Sequence, residues 1–470
     1  MGMEFFILMK QEWMIMIILL ILLFIKVGSR DWNNDQILNL VNILLLINLI
    51  SGFFGNQDGM LFNEMFKTNP LIHAEKNILS LGTYIIALQS YSWLKNHPHV
   101  LEFYILLLST LLGMFLMISS GNLLMFYLGL ELSTIPLTAL ANFDLEKRKS
   151  SEAAFKFIIS SAFSSGLLLF GISLVYGITG TLTFSQLSLH VQENPLLIFS
   201  FILLMAGFGF KISAVPFHLW TADVYEGSPV TVTSYLSVIS KGAVLFVLIS
   251  VLYTVFKPLA VTWYNLLYVL SVVTMVIGNL FALRQNNLKR FLAFSSIAQA
   301  GFILIGISGA SRAGTASVVY FILIYLFSNL GAFGVIGLVS ATTGKEQIAD
   351  YKGFYKKNPL LTWVLTISLF SLAGIPPTAG FFGKFFLLMA GAGQGNYILI
   401  TVAALNMVVA LYYYLRVVKA MFMDANENPI AKINIPLSPK LALLICMTGI
   451  VLTGLMSYIY EYIYSLSSGF

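Results

Sequence analysis

The sequence predicts an all-α polytopic membrane protein with about 14 transmembrane helices. Of its 470 residues, 58% are hydrophobic and only 10% are charged, and the mean hydropathy is +0.87. A chain this apolar cannot surround one water-soluble core with polar side chains. Apolar runs of about 20 residues, long enough to cross the hydrocarbon layer, recur along the whole chain.

The apolar runs and the polar loops between them place the individual spans. The first run carries Glu4, Lys10 and Glu12 and lacks a small-residue cleavage signal, so we interpret it as a retained helix rather than a signal peptide. The predicted spans are centred near residues 20, 45, 85, 110, 131, 165, 208, 243, 273, 299, 327, 375, 408 and 452.

The basic residues of the loops predict the topology. When the loops are assigned alternately to two sides, the richer side holds Lys26, Arg30, Lys95, Lys147, Arg148, Lys149, Arg284, Lys289, Arg290, Lys345, Lys352, Lys356, Lys357, Lys419, Lys432 and Lys440. The other side holds Lys10, Lys67, Lys76, Lys257 and Arg312. The positive-inside rule makes the richer side cytoplasmic, which places both termini outside.

Four charged residues lie near the middle of apolar runs: Glu131, Lys211, Lys241 and Lys384. A charge at the centre of a membrane-spanning helix is disfavoured by roughly 2.5 to 3.5 kcal/mol on insertion scales, so such residues are usually functional. Structural ion pairs that face the bundle interior are the alternative for any one of them. That alternative is weaker for four charges at similar depth.

Two spans carry helix-breaking residues beside a lysine. Pro216 follows Lys211, and Gly374, Pro376 and Pro377 precede Lys384. Proline removes a backbone donor and clashes with the preceding turn, so both helices should break near mid-membrane. Backbone groups freed at that depth must be buried in protein or line a wet cavity. Kinks that serve packing alone are the alternative for either break.

The two breaks predict an internal repeat, because paired broken helices are typical of inverted-repeat transporters. The predicted organisation is an N-terminal three-helix segment at 1–100, a five-helix repeat at 101–256, a second repeat of opposite orientation at 262–421, and a C-terminal loop with the final helix at 422–470.

Several site classes find no support in the sequence. Cys446 is the only cysteine, so no disulfide framework or thiolate metal site can form. The spacing of the histidines suggests no metal site. The net charge of +6 comes from residues scattered over short loops, which does not indicate nucleic-acid binding. We therefore predict no metal, nucleotide or redox cofactor in this chain.

Five segments resemble the antiporter-like membrane subunits of proton-pumping NADH:quinone oxidoreductase, respiratory complex I. They are YLGLELSTIPLTAL around Glu131, GFGFKISAVPFHLWTADVYEGSP around Lys211, SVISKGAV around Lys241, LKRFLAFSSIAQAG from Leu288, and SLAGIPPTAGFFGKF around Lys384. The resemblance covers nearly the whole chain. Three further segments favour the subunit N branch of this family: the run from Glu152, YLFSNLGAFGVIG from Tyr325, and YYYLR from Tyr412.

The resemblance implies a role for each mid-span charge. Glu131 and Lys211 match the glutamate–lysine pair of the family, and Lys241 and Lys384 match its lysines in the following helix and in the second broken helix. At about 4 Å and an effective dielectric near 20, the pair would be worth about 4 kcal/mol. Opening it would favour passage of a proton from Lys211 toward Lys241 and then, through water, toward Lys384.

One residue departs from the family pattern. Gln299 stands where many relatives have histidine, and an amide cannot carry a proton by titrating. Ser295, Ser296 and Tyr325 would then have to bridge this part of the path with water. The polar residues after the first break, which include His218, predict an interface, and His218 is also a candidate for the proton path.

The resemblance further implies partners and location. NADH, FMN, iron–sulfur clusters and quinone would be bound by other subunits, and the neighbours would be membrane subunits of complex I, including other antiporter-like subunits, with membrane lipid around them. The membrane would be the bacterial plasma membrane. The alternatives are a Mrp-type cation/proton antiporter subunit, a membrane subunit of an energy-converting hydrogenase, and a structural scaffold that moves no protons.

Overall fold

A computed structural model describes residues 2–28 and 32–469, and this part of the chain is almost entirely helical. Arg30, one of the basic residues used for the topology, lies outside the described residues. The first ten helices are α1 Gly2–Leu8, α2 Lys10–Val27, α3 Asn34–Ser51, α4 Pro70–Leu94, α5 Val100–Ile118, α6 Leu123–Ala141, α7 Arg148–Thr179, α8 Phe184–His190, α9 Pro195–Ile212 and α10 Leu219–Gly227. The next ten are α11 Val230–Tyr235, α12 Lys241–Ser250, α13 Ala260–Leu283, α14 Leu288–Ser308, α15 Arg312–Thr343, α16 Pro359–Ala373, α17 Ala379–Ala392, α18 Tyr397–Phe422, α19 Leu437–Leu455 and α20 Ser457–Leu466.

Short irregular segments complete the backbone. Two π-helical turns, Leu236–Ser240 and Val251–Val255, flank α12. Turns of 3-10 helix occur at Lys257–Leu259, Ile348–Tyr351, Phe354–Lys356 and Ser467–Gly469.

A small β-hairpin lies between α3 and α4. Its strands, β1 Gly59–Leu61 and β2 Phe66–Thr68, pair antiparallel, with Gly59 opposite Thr68. The sequence does not predict this hairpin, because strands of three residues are too short to show a period of two.

The predicted all-α membrane fold is confirmed. Eleven helical segments among the described residues are long and apolar enough to cross a membrane. Two further predicted spans coincide with α2 and α4, which carry buried polar side chains. The span predicted near residue 375 corresponds to the short apolar helices α16 and α17. Every predicted centre thus falls in a helix or in the interruption between α16 and α17.

The described chain divides into two compact units. Unit 1 contains the residues up to Ala87, Leu94–Ile212 and Ile239–Trp263. Unit 2 contains Leu88–Trp93, Ser213–Val238 and the residues from Tyr264 onward. Glu131, Lys211 and Lys241 therefore belong to unit 1, and Lys384 belongs to unit 2.

Two glycines bring the helices of unit 1 close together. A Cβ atom on Gly129 of α6 would lie 2.6 Å from the backbone nitrogen of Met117 in α5. One on Gly207 of α9 would lie 2.5 Å from a methyl carbon of Leu168 in α7. Only glycine allows this separation without a shift. The two close approaches hold the segments that carry Glu131 and Lys211.

A buried ion pair ties the start of α2 to α4. Lys76 Nζ lies 2.5 Å from Glu12 Oε1, and the two side chains are 0% and 1% exposed. Beside the pair, Gln11 Nε2 donates to Asn77 Oδ1 at 2.7 Å. These contacts fix the N-terminal helices within unit 1.

Loop contacts in unit 1 agree with the predicted alternation of sides. At one end, Lys26 Nζ lies 2.6 Å from Glu102 Oε1, and Asn34 Nδ2 donates to the Lys95 carbonyl at 2.9 Å. At the other end, the backbone nitrogen of Lys67 donates to the Ser119 carbonyl at 2.8 Å. In each case the contacting loops are ones that the alternation puts on the same side.

Contacts in unit 2 also agree with the predicted alternation of sides. The backbone nitrogen of Leu288 donates to the Glu346 carbonyl at 2.8 Å, and that of Gly353 donates to the Ala420 carbonyl at 3.1 Å. These segments fall on the predicted cytoplasmic side. Arg312 Nε donates to the Tyr464 carbonyl at 2.8 Å, and both residues fall on the predicted outer side.

Candidate functional site

Lys211 lies at the end of α9, where the seventh span is interrupted. The helix ends at Ile212, Ser213 has a φ of +62°, and α10 begins at Leu219. The stretch between the helices contains Pro216. Within unit 2, the backbone nitrogen of Val215 in this stretch donates to Thr274 Oγ1 at 3.0 Å, so a side chain satisfies a freed backbone group.

Two hydroxyl groups bind the Lys211 ammonium. Nζ donates to Thr134 Oγ1 of α6 at 2.7 Å and to Ser161 Oγ of α7 at 2.9 Å. The lysine is 8% exposed, so these bonds replace most of the hydration that it loses on burial. Neither hydroxyl residue is marked as part of a site by the sequence alone.

Glu131 lies three residues before Thr134 on α6 and is half-buried. The structure shows no ion pair between its carboxylate and Lys211, whose ammonium is bound by the two hydroxyls instead. The contact at about 4 Å that the sequence suggested is therefore not formed in this structure. The Glu131 atom Oε1 is buried without a hydrogen-bond partner.

Lys241 begins α12, directly after the π-helical turn Leu236–Ser240. It is 4% exposed. In unit 1, α12 packs against α5 and α9. Single π-helical turns inside helices are frequent at functional sites, because they leave backbone groups out of the regular pattern. The sequence identified this lysine but not the irregular turn before it.

Lys384 is fully buried on α17 in unit 2. Its Nζ donates to the carbonyl of Leu372 at 2.7 Å and to that of Ala373 at 3.3 Å, and it lies 4.8 Å from the centre of the Phe302 ring. The two carbonyls are free because α16 ends at Ala373, followed by Gly374 with a φ of +88°. A helix C-terminus carries partial negative charge, which stabilises a cation.

Gln299 contacts the same region. Its Nε2 donates to the Leu372 carbonyl at 3.0 Å and to Tyr414 Oη at 3.3 Å, whereas its Oε1 is buried without a partner. Ser295 Oγ is also hydrogen-bonded to Tyr414 Oη. Tyr414 therefore links two predicted path residues, although in the sequence it stands out only as part of the YYYLR run.

Tyr325 and Ser296 belong to a second polar group of unit 2. Asn329 Nδ2 donates to Tyr325 Oη at 2.9 Å, and Ser237 Oγ donates to Asn329 Oδ1 at 2.7 Å. Ser296 interacts with Tyr225 and Tyr325 and also donates to a backbone carbonyl. These contacts bring the predicted path residues of α14 and α15 together.

His218 precedes α10, and its Nδ1 atom is buried without a hydrogen-bond partner. The acidic residues that follow it form ion pairs: Arg290 Nη1 lies 2.7 Å from Asp223 Oδ1 and 3.1 Å from Glu226 Oε2. The polar residues after the first break thus join α10 to α14 within unit 2. In the described part of the chain, no group of three or more His, Cys, Asp or Glu side chains could hold a metal ion.

The sequence of this region matches a known family. A sequence model of the family described as "NADH:quinone oxidoreductase/Mrp antiporter, TM" matches residues 120–410, which is more than half of the chain. The chain belongs to this family. The segment that matches the NADH:quinone oxidoreductase/Mrp antiporter family contains all four mid-span charges and both interrupted spans.

Individual members of the family resemble the chain over most of its length. It is 46% identical over 444 residues to the NADH-quinone oxidoreductase subunit N of Phocaeicola vulgatus, with 93% of each chain covered. It is 45% identical over 472 residues to the subunit N of Azobacteroides pseudotrichonymphae genomovar. CFP2, with 99% of this chain and 98% of the relative covered. The resemblance that the sequence motifs suggested is therefore confirmed.

The fold is also similar to that of a solved structure. A chain of respiratory complex I from Thermus thermophilus with bound aureothin superposes with a TM-score of 0.80 at 28% identity, and the match covers 95% of this chain and 97% of that chain.

Proposed function

We propose that this chain is subunit N of a proton-pumping NADH:quinone oxidoreductase and that it carries protons across a bacterial plasma membrane. Glu131, Lys211, Lys241 and Lys384 are its proton-transfer residues. Quinone reduction in other subunits drives the transfer. Two relatives of similar length that bear the subunit N name support the assignment to this complex.

The environment of Lys384 is the observation that carries the proposal. Its ammonium is fully buried and donates to two backbone carbonyls, and no carboxylate of the described residues forms an ion pair with it. A lysine kept for structure alone would be expected to meet an opposite charge. Lys384 can instead release its proton without leaving a buried carboxylate unpaired. This favours proton transfer over a scaffold role.

Proton transfer in unit 1 depends on Glu131 and Lys211. Approach of the carboxylate stabilises the protonated form of the lysine, and its withdrawal favours release of the proton from Nζ toward Lys241 through water. In unit 2, Gln299 and Tyr414 orient the surroundings of Lys384, which gains and loses a proton at Nζ. Transfer from Lys241 onward to Lys384 stays a prediction from the sequence.

The proposal places the redox chemistry elsewhere. NADH, FMN, the iron–sulfur clusters and quinone are bound by other subunits, and this chain has no catalytic redox site. Its neighbours are other membrane subunits, including antiporter-like ones, and membrane lipid surrounds the assembly. Both termini lie outside the cytoplasm.

Variants of Lys384 in the assembled complex test this function. Protons taken up per electron are measured in inverted membrane vesicles with NADH as donor, normalised to the amount of complex. Lys384→Met should keep assembly and lower proton uptake, and Lys384→Arg should do the same because arginine does not release its proton. Lys257→Met, at an exposed loop lysine, is the control and should pump normally. Full proton uptake by Lys384→Met would refute the proposal.

A further inference from the structure

The hydrogen bonds from Lys211 to two hydroxyl groups are short. The distances of 2.7 Å to Thr134 Oγ1 and 2.9 Å to Ser161 Oγ are those of charge-assisted hydrogen bonds. The side chains come from α9, α6 and α7 of unit 1, and they are 8%, 7% and 4% exposed. Bulk solvent therefore has little access to compete for the ammonium.

The Thr134 hydroxyl is oriented to accept a hydrogen bond from Lys211. A hydroxyl has one hydrogen to donate, and Thr134 donates it to the Leu130 carbonyl at 2.7 Å. A lone pair of Oγ1 is left for the lysine. Because Leu130 lies one turn earlier on the same helix, this orientation is fixed by α6 itself.

The Ser161 hydroxyl has a different capacity. In the described structure its only hydrogen bond is the one that it accepts from Lys211. Its own hydrogen can therefore turn toward the lysine nitrogen once that nitrogen has lost a proton and become an acceptor. The two hydroxyls together can accept from the ammonium and donate to the lone pair of the neutral amine, whereas an ionised carboxylate has no hydrogen to donate.

One helix offers Lys211 two alternative partners. Glu131 and Thr134 are three residues apart on α6, so they lie on neighbouring parts of its surface. Glu131 Oε1 is buried without a hydrogen-bond partner while the hydroxyls hold the lysine. The flexible side chain of Lys211 has only to move between adjacent acceptors.

We propose that Thr134 and Ser161 form a second binding position for the Lys211 amine, the hydroxyl site, which competes with Glu131 and holds the lysine while its proton leaves. This inference rests on the proposed function of Lys211 as a proton carrier. The proton passes from Nζ to a neighbouring water, and the neutral amine stays bound to the hydroxyls until it is reprotonated. Thr134 and Ser161 are positioning residues in this scheme.

The double variant Thr134→Val/Ser161→Ala in the assembled complex tests the hydroxyl site. Loss of one hydrogen bond to a charged group changes the equilibrium between the two binding positions of Lys211 by about tenfold or more, in favour of the position at Glu131. Protons per electron should therefore fall as in Lys211→Met, with the amount of complex unchanged. Thr134→Ser should pump normally because it keeps the hydroxyl. Ser164→Ala is the matched control, since this buried serine lies one turn along α7 and its hydroxyl makes no hydrogen bond in the structure.

Combining Thr134→Val with Glu131→Gln distinguishes a positioning role of the hydroxyls from a purely structural one. Without a competing carboxylate the hydroxyls matter less, so adding Thr134→Val to Glu131→Gln should reduce pumping by a smaller factor than Thr134→Val alone. Equal factors in the two backgrounds would overturn the hydroxyl site. Full pumping by the double hydroxyl variant, beside an impaired Lys211→Met, would also overturn it and leave the proposed function standing. Full pumping by Lys211→Met would overturn both.

If the double variant does not assemble, the single variants Thr134→Val and Ser161→Ala decide the question. Each should lower protons per electron relative to Ser164→Ala. Pumping by both single variants at the level of Ser164→Ala would contradict the hydroxyl site.

Discussion

Gln299 and Lys384 donate hydrogen bonds to the same backbone oxygen, that of Leu372. The distances are 3.0 Å from Gln299 Nε2 and 2.7 Å from Lys384 Nζ. The oxygen is available because α16 ends one residue later, at Ala373, and the last carbonyls of a helix lack intrahelical donors. An amide at position 299 can therefore help to position Lys384 although it cannot titrate.

Substitution of Gln299 tests this positioning role. Gln299→Met keeps a similar volume but removes the bonds to Leu372 and Tyr414, each worth about 1 kcal/mol net. We expect a loss of stability of about 1–2 kcal/mol and fewer protons per electron in membrane vesicles. Gln299→His keeps an N–H donor and should pump normally. Unchanged pumping by the methionine variant would show that the amide is not needed.

Variants of Lys211 separate a proton carrier from a structural lysine. Its contacts are neutral hydroxyls, so Lys211→Met leaves no carboxylate in contact without its partner and should keep the complex assembled. Transfer should slow by roughly 10²-fold or more, the usual contribution of a positioned acid–base group. Lys211→Arg should be nearly as harmful because arginine stays protonated. The measurement is proton translocation per electron, and normal translocation by the arginine variant would refute the carrier role.

The lysines could be found in the sequence because a charge inside an apolar run is visible without a structure. Their partners could not. Thr134 and Ser161 look like ordinary small polar residues of membrane helices, and their role depends on how α6, α7 and α9 pack. The Leu372 carbonyl is a backbone atom that no residue type marks. Its availability depends on where α16 ends.

The separation of Glu131 from Lys211 could not be predicted from the sequence either. A sequence shows that two opposite charges can meet, but their distance depends on which competing groups surround the lysine. Lys76 and Glu12 show the converse case, since their buried contact joins residues 64 positions apart that the sequence alone does not pair.

The topology leads to a separate prediction. The basic loops at 142–151 and 342–357 should lie in the cytoplasm, because lysine and arginine are retained on that side. Fusions of alkaline phosphatase and of a fluorescent protein in these loops report the side directly. The fluorescent-protein fusion at residue 355 should fluoresce, and the phosphatase fusion there should be inactive. An active phosphatase at this residue would contradict the predicted topology.

A prediction about the isolated chain follows from the proposed division of labour. Purified alone and reconstituted in liposomes, the chain should neither oxidise NADH nor take up protons in response to it, because the proposed function assigns the redox groups to other subunits. The complete complex in the same liposomes is the control. NADH-driven uptake by the single chain would contradict the proposed role as a subunit.

The ion pair between Glu12 and Lys76 should matter for stability rather than for pumping. Lys76→Met leaves the Glu12 carboxylate buried and unpaired, which typically costs about 3–5 kcal/mol. We expect less assembled complex and a lower melting temperature in detergent, with normal protons per electron in the complex that does assemble. Adding Glu12→Gln should restore much of the lost stability because it removes the unpaired charge.

The control is Lys156→Met, which breaks the exposed pair with Glu152. The side chains of that pair are 39% and 58% exposed, so its loss should cost about 0.3–0.5 kcal/mol of stability. If Lys76→Met costs no more than this control, Glu12 has found another partner and the pair does not anchor α2 to α4.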